Sequence, residues 1–352
     1  MGSIINHNRF FSNRFSSLLL GLIVIGFSVV TIYSNIYHSP FTFDDETQII
    51  ENKNLRNLSN YLSPSKLFKP RAVVDLTFAL NYRFGKLNVF GYHLVNVLVH
   101  ILNGFLVYFL TLATLKQRPE FSNPTNHLTS ESAKSSIISI SFFSAMIFVA
   151  HPIQTQAVTY TVQRYASMGA MFYMGSMLFY VYARTIQVRA KSIEPGEKIR
   201  EQRAGSKEKR AGSEEQRAES RGQVEKEKNY MLKLSSLYAL SIVCGMLAFL
   251  SKENTATLPG AILLVEYLII KETMHDWKIK LPWFTLAFTC WLLFVLFVSG
   301  LLSGELGDRN LLEDVSALTK ETVAVSRWSY LCTQFNVNHL HQVVVFAYIP
   351  KS

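Results

Sequence analysis

The chain has 352 residues, 49% hydrophobic and 17% charged, with a formal net charge of +10 and a mean hydropathy of +0.17. Long apolar runs recur along it, which excludes an ordinary soluble globule, because roughly 20 consecutive apolar residues are what a membrane-crossing helix needs. The basic balance does not point to nucleic acid: much of it lies in one stretch, about Arg184–Lys233, interleaved with glutamates, the pattern of a cytoplasmic face.

The apolar runs fall at about 16–37, 90–115, 136–150, 166–184, 232–251, 254–270 and 281–301, and an eighth begins near Trp328. They predict an all-α, polytopic integral membrane protein with about seven or eight transmembrane helices, since only helices and closed barrels satisfy the backbone in lipid. The first run follows Arg9 and Arg14, as in a signal peptide. It is too long for one, however, and Tyr33-Ser-Asn-Ile-Tyr offers no small-residue cleavage site; it reads as an uncleaved first helix. With the N-terminus in the cytoplasm, the basic segments near Lys116–Lys134, Arg184–Lys233 and Lys271–Lys280 fall inside. Residues 38–89, the His151-Pro152 turn, the Ser251–Asn254 turn and Ser303–Arg327 then fall outside.

The outer segment 38–89 carries an adjacent acidic pair, Asp44 and Asp45, about seven residues beyond the first run. One carboxylate of such a pair can take a proton from a hydroxyl while the other orients it or raises its pKa; a solvated helix cap is the plainer alternative. Apolar spacing over Asn57–Phe68 and Val73–Tyr82 predicts two helices lying on the membrane surface. The same loop holds Arg71 and Arg83, candidates for phosphate or acceptor contact.

In the second run His93, Asn96, His100 and Asn103 repeat at spacings of three, four and three, so they share one helix face. Polar groups there point into the bundle or a wet cavity, and interhelical hydrogen bonding explains them equally well. His151 follows the third run; it could donate to a phosphate that Arg164 neutralises, or Arg164 could simply reach up to the headgroups. Lys252 and Glu253 lie between two runs only a few residues apart. Lys252 could hold a phosphate with Glu253 as its partner, and a plain ion pair closing a helical hairpin fits as well.

The stretch 185–231 contains seven-residue repeats beginning at Glu201, Glu208 and Glu215, with no apolar a and d positions. It is expected to be a charged solvated helix or a disordered cytoplasmic insertion, dividing an N-terminal membrane region (1–184) from a C-terminal one (232–337). Residues 338–352 look like an aberrant or truncated tail, because a spanning pattern begins near Trp328 and then meets Asn336, Asn338, His339 and His341. Cys244, Cys290 and Cys332 have no metal or disulfide spacing. There is no Walker loop, GxGxxG, HExxH or GxSxG motif, so soluble-nucleotide chemistry has no support.

Several of these segments together resemble a known family. They are Phe43-Asp-Asp-Glu, Ile50-Glu-Asn, Arg71, Leu76-Thr-Phe-Ala-Leu-Asn-Tyr, Gly91-Tyr-His-Leu-Val-Asn, His151-Pro-Ile-Gln-Thr-Gln-Ala-Val, Gln163-Arg, Lys252-Glu and Ser326-Arg-Trp-Ser-Tyr-Leu. In order and placement they resemble the membrane half of the transmembrane-and-TPR O-mannosyltransferase-like proteins. The resemblance implies a GT-C-like helical bundle with a large first extracytoplasmic loop. It implies an inverting transfer of mannose or a similar hexose from a polyprenyl- or dolichyl-phosphate donor to Ser or Thr hydroxyls of an acceptor protein, outside the cytoplasm. Asp44 or Asp45 would then be the base. Arg71, His93, His151, Arg164, Lys252 and Glu253 would serve the donor phosphate or substrate, with no metal or cofactor beyond the lipid-linked sugar. The 34-residue TPR repeats of that family are absent from these 352 residues. A transporter or flippase of a lipid-linked substrate, or an inactive truncated remnant, are the competing expectations.

Overall fold

A computed structural model describes residues 18–62, 68–117, 127–204, 213–270 and 274–298. The eighth predicted span and the tail 338–352 lie outside these residues, as does Arg9–Arg14. The described residues are helical throughout, with no strand among them. In chain order the helices are α1 (Leu18–Ile32), α2 (Ser59–Leu62), α3 (Ala72–Gly85), α4 (Val89–Leu115), α5 (His127–Ala150), α6 (Gln154–Thr159), α7 (Arg164–Ala204), α8 (Ser213–Phe249), α9 (Leu258–Val265) and α10 (Met274–Val298). Short 3-10 or π turns cover Glu46–Ile50, Lys53–Arg56, Thr161–Gln163, Glu253–Thr257 and Glu266–Ile270.

Among the described residues three helices are long and apolar enough to cross a membrane: Val89–Leu115, Lys228–Phe249 and Leu281–Val298; Leu18–Ile32 and Ser135–Ala150 are shorter apolar helices. Their outward faces are apolar, with Phe27 70%, Ile242 64% and Trp283 71% exposed. Such contiguous apolar exposure suits lipid rather than water.

The predicted span 254–270 is not one straight helix. Pro259 sits in the first turn of α9, and α9 is only eight residues, about 12 Å long. A π turn then follows and turns Glu266 into the protein, where it is 1% exposed. The described residues of the charged stretch 185–231 are helical, because α7 continues to Ala204 and α8 begins at Ser213.

One core cluster joins α1, α4 and α5 through Ile25, Val29, Val97, Tyr108, Ala145 and Val149. Gly104 lets these three helices meet: a Cβ there would lie 2.6 Å from Val149 Cγ1 and 3.1 Å from Ile25 Cγ2. Small residues at helix contacts are how membrane bundles gain close packing. The α7–α8 contact follows the same rule, with Ser176 and Ser241 each donating its hydroxyl to the other's carbonyl at 2.7 and 2.9 Å.

A second cluster holds the 38–88 loop down. Ile49, Leu55, Val74 and Phe78 from the loop pack against Tyr92 of α4 and Tyr165 and Met168 of α7. The loop is thus a folded cap on one end of the bundle. At the other end of α7's apolar part, Arg184 pairs with Glu266 at 2.5 Å, both almost wholly buried, and Tyr180 donates to Glu266 Oε2 at 2.9 Å. Arg164 and Arg184 are 20 residues apart, about 30 Å along a helix, which matches the hydrocarbon thickness of a bilayer.

Replacing Gly104 by Ala overpacks the junction of α1, α4 and α5. It should cost about 1–3 kcal/mol, read as a lowered melting temperature in detergent.

Candidate active site

Three segments far apart in sequence meet at the capped end: the 38–88 loop, the 151–163 connection and the 250–257 turn. Asp45 Oδ1 accepts from Val162 N at 2.8 Å, Asp44 N donates to Tyr160 Oη at 2.9 Å, Arg71 Nε donates to Glu253 Oε1 at 3.1 Å, and Val73 N reaches Leu250 O at 3.4 Å.

The acidic pair divides cleanly. Asp45 is 1% exposed, and both its oxygens are occupied by main-chain amides: Oδ1 by Val162 and Oδ2 by Thr42 at 3.1 Å. Burial pushes its carboxyl above the ordinary carboxylate range, and the amides of Thr42, Val162 and Thr161 and the nearby His93 act against that rise. Asp45 therefore fastens the loop to the 161–163 turn. Asp44 is exposed, and its carboxylate lies within reach of the Tyr160 hydroxyl. Its main chain is held by Tyr160, and the preceding Phe43 has φ 50, a left-handed conformation unusual for a bulky residue.

Arg164 is 0% exposed and is not offered to a phosphate or to headgroups. Its guanidinium donates to Asn96 Oδ1 at 2.7 Å, Asn81 Oδ1 at 2.6 Å, Thr77 Oγ1 at 3.2 Å and Tyr92 O at 2.8 Å, and it lies 4.3 Å from the Phe78 ring centroid. No carboxylate among the described residues pairs with it. Its role here is to tie α3, α4 and α7 together.

The polar stripe of α4 is spent in the same way. His93 Nε2 donates to Ser39 O at 3.0 Å, Asn96 Nδ2 to Val158 O and Thr161 O at 3.3 Å each, His100 Nε2 to Val149 O at 3.2 Å, and Asn103 Nδ2 to Ser167 O at 3.0 Å. The Ser39, Val158 and Val149 carbonyls lie at helix ends or in connections, where the backbone leaves acceptors unpaired, whereas Ser167 lies inside the first turn of α7. The interhelical hydrogen-bonding alternative describes the stripe. His93 is 0% exposed and its buried Nδ1 has no partner among the described residues.

Arg71 stands at the site with Lys252 and Glu253. The expected Lys252–Glu253 pairing is replaced by Arg71–Glu253, a half-exposed ion pair with side chains 49% and 46% accessible. Arg71 has φ 67, costly for a non-glycine residue. Its side chain is held by Glu253 and by the Tyr165 ring at 5.5 Å. Lys252 lines a cleft of about 270 Å³ with Ala166, Ala170, Tyr173 and Thr255, and its ammonium has no partner among the described residues. Gly169 admits this turn, since a Cβ there would meet Lys252 Cβ at 3.2 Å. His151 is exposed, its Nδ1 accepting from Ile153 N at 3.1 Å. Among the described residues no group of acids, histidines and cysteines could hold a metal ion.

No protein-family model matches the chain, and no solved structure matches it. Curated relatives do. The protein O-mannosyl-transferase Tmtc3 of Drosophila melanogaster is 28% identical over 175 residues, 46% of this chain and 19% of its own length. The protein O-mannosyl-transferase TMTC3 of Homo sapiens is 29% identical over 163 residues, covering 43% of this chain and 16% of its own. The protein O-mannosyl-transferase TMTC4 of Mus musculus is 28% identical over 179 residues, covering 44% and 22%. This chain resembles the protein O-mannosyl-transferases. It spans about a fifth of the length of the curated relatives it matches, and the resemblance expected from the motifs stands.

Sequence reading missed Tyr160, Asn81, Thr77 and the Arg184–Glu266 pair. A charge at each edge of an apolar run was the only available signal for the last.

Removing the Arg164 guanidinium (Arg164→Met) leaves several buried acceptors unpaired, at about 1–3 kcal/mol each. A loss on the order of several kcal/mol in thermal unfolding is expected. Arg71→Met should cost no more than about 1 kcal/mol, since its ion pair is half-exposed.

Proposed function

We propose that this chain carries the sugar-transfer site of a membrane protein O-glycosyltransferase. It moves mannose or a similar hexose from a polyprenyl- or dolichyl-phosphate donor to Ser or Thr hydroxyls on the extracytoplasmic side. The observation that carries the reading is the division of the acidic pair: Asp45 is consumed in holding the loop, while Asp44 is left exposed on the same capping loop whose Arg71 meets Glu253. The named relatives support the same class of reaction.

The chemistry follows from these groups. The acceptor hydroxyl attacks the anomeric carbon from the face opposite the phosphate, a new C–O bond forms, and its proton passes to the Asp44 carboxylate. The bond from the anomeric carbon to the phosphate oxygen breaks, and the electron pair leaves with the lipid phosphate. Lys252 and Arg71 stabilise that growing negative charge, and the donor phosphate competes with Glu253 for the Arg71 guanidinium. A single displacement of this kind inverts the anomeric centre. Arg164 and His93 act at one remove, by fixing the segments that present Asp44. His151, exposed at the same connection, is the remaining donor to phosphate.

The test is transfer of labelled mannose from polyprenyl-phosphate-mannose to a Ser/Thr peptide in membranes containing the protein. Asp44→Asn should lower the rate at least about 100-fold with melting unchanged, whereas Asp45→Asn should also lower the melting temperature. Full transfer by Asp44→Asn would overturn the assignment of the base.

A further inference from the structure

The capped end has a second cleft that this mechanism does not use. It has a volume of about 240 Å³ and is lined by Asn54, Asn60, Tyr61, Lys69 and Asp75, from the 3-10 turn after the acidic pair, α2 and the start of α3. We propose that this cleft is a pyranose-binding subsite, in which Asp75 and Lys69 hold ring hydroxyls and the Tyr61 ring packs against the sugar's C–H face.

Asp75 is the anchor. Its Oδ1 accepts from Tyr165 Oη at 2.5 Å, which fixes the carboxylate, and Oδ2 makes no hydrogen bond among the described residues. An acceptor-only group held in this way suits a ligand that brings hydroxyl donors. Lys69 is exposed at the cleft and makes no ion pair among the described residues; it supplies donors. Asn60 uses Nδ2 on Asn54 O at 3.2 Å and keeps its carbonyl oxygen, so the lining offers donors and acceptors at once. The fixed carboxylate disfavours an anion such as a free phosphate. An apolar ligand would leave the polar lining unpaired, which costs roughly 1–3 kcal/mol per group. Burial raises the Asp75 carboxyl from its ordinary value, and burial together with the Asp75 charge pushes Tyr61 up to about 12. Both groups line a small concave site, the kind of surface on which ligands bind.

The cleft adjoins the transfer site through Arg71, which sits over Tyr165 and precedes Ala72 of the cleft lining. The inference rests on the glycosyl-transfer reading for which sugar is met, and its test does not need transfer. The pyranose is either the donor's own sugar or one already on the acceptor.

The experiment is ligand-observed saturation-transfer NMR of methyl α-mannoside with the full chain in detergent. Asp75→Asn should weaken binding roughly tenfold or more through loss of a charge-assisted contact, and Tyr61→Ala through loss of the ring that packs on the sugar. Lys69→Met on the exposed rim keeps the test valid where Asp75→Asn lowers folding. Competition by polyprenyl-phosphate-mannose but not by polyprenyl phosphate would assign the subsite to the donor; competition by a mannosyl-serine peptide would assign it to the acceptor. Either result supports the subsite. No binding to the unaltered protein, or binding unchanged in folded Asp75→Asn and Lys69→Met, would overturn it, even where mannose transfer is intact.

Discussion

A guanidinium enclosed without a carboxylate is the constraint on which the capped end depends. Arg164 sits where the chain leaves a 3-10 turn and enters α7, and taking its charge from water is expensive unless every N–H finds an acceptor. Those acceptors come from α3 and α4. The loop helix can be placed only one way if they are to converge, so the loop, α4 and α7 are locked as a unit. With that unit fixed, Asp45 reaches Val162, Asp44 is left at the surface, and Arg71 comes to Glu253.

The α4 stripe extends the same logic. The connection from α5 to α7 is broken at Pro152 and again near Tyr160, and each break leaves carbonyls with no helical partner. In a membrane those groups need partners, since lipid offers none. Asn96 and His100 supply them, and Asn103 ties α4 to the first turn of α7. A continuous helix in place of α6 would need no such stripe, but it would also remove the turn that carries Tyr160 and receives Asp45. Candidate site and irregular backbone therefore coincide: backbone breaks, three positive-φ non-glycine residues (Phe43, Arg71 and Lys86) and the exposed carboxylate lie at one end of the bundle.

Much of this was legible beforehand. The apolar runs gave α4, α8 and α10 and the helical class, because length and hydropathy are local properties. The motifs Asp44-Asp45, Arg71 and Lys252-Glu253 were legible as chemistry, and the structure brings them to one end. What could not be read was which polar residue meets which. Arg164 was expected at a phosphate and instead holds Asn81 and Asn96; Glu253 was expected on Lys252 and instead meets Arg71, 182 residues away. Such pairings are set by the crossing of distant helices, and a single sequence carries no register between them. The 254–270 run misled for a related reason: its hydropathy suits a span, while Pro259 and the pull of Arg184 on Glu266 bend it into the protein.

In the proposed function, residues 44, 71 and 252 form one site on one side of the membrane for a lipid-linked sugar. Single cysteines at these positions, in a background without the three native cysteines, can be labelled in sealed oriented vesicles with a membrane-impermeant maleimide. All three positions should react from the same side. Labelling of position 252 from the side opposite position 44 would contradict a single site.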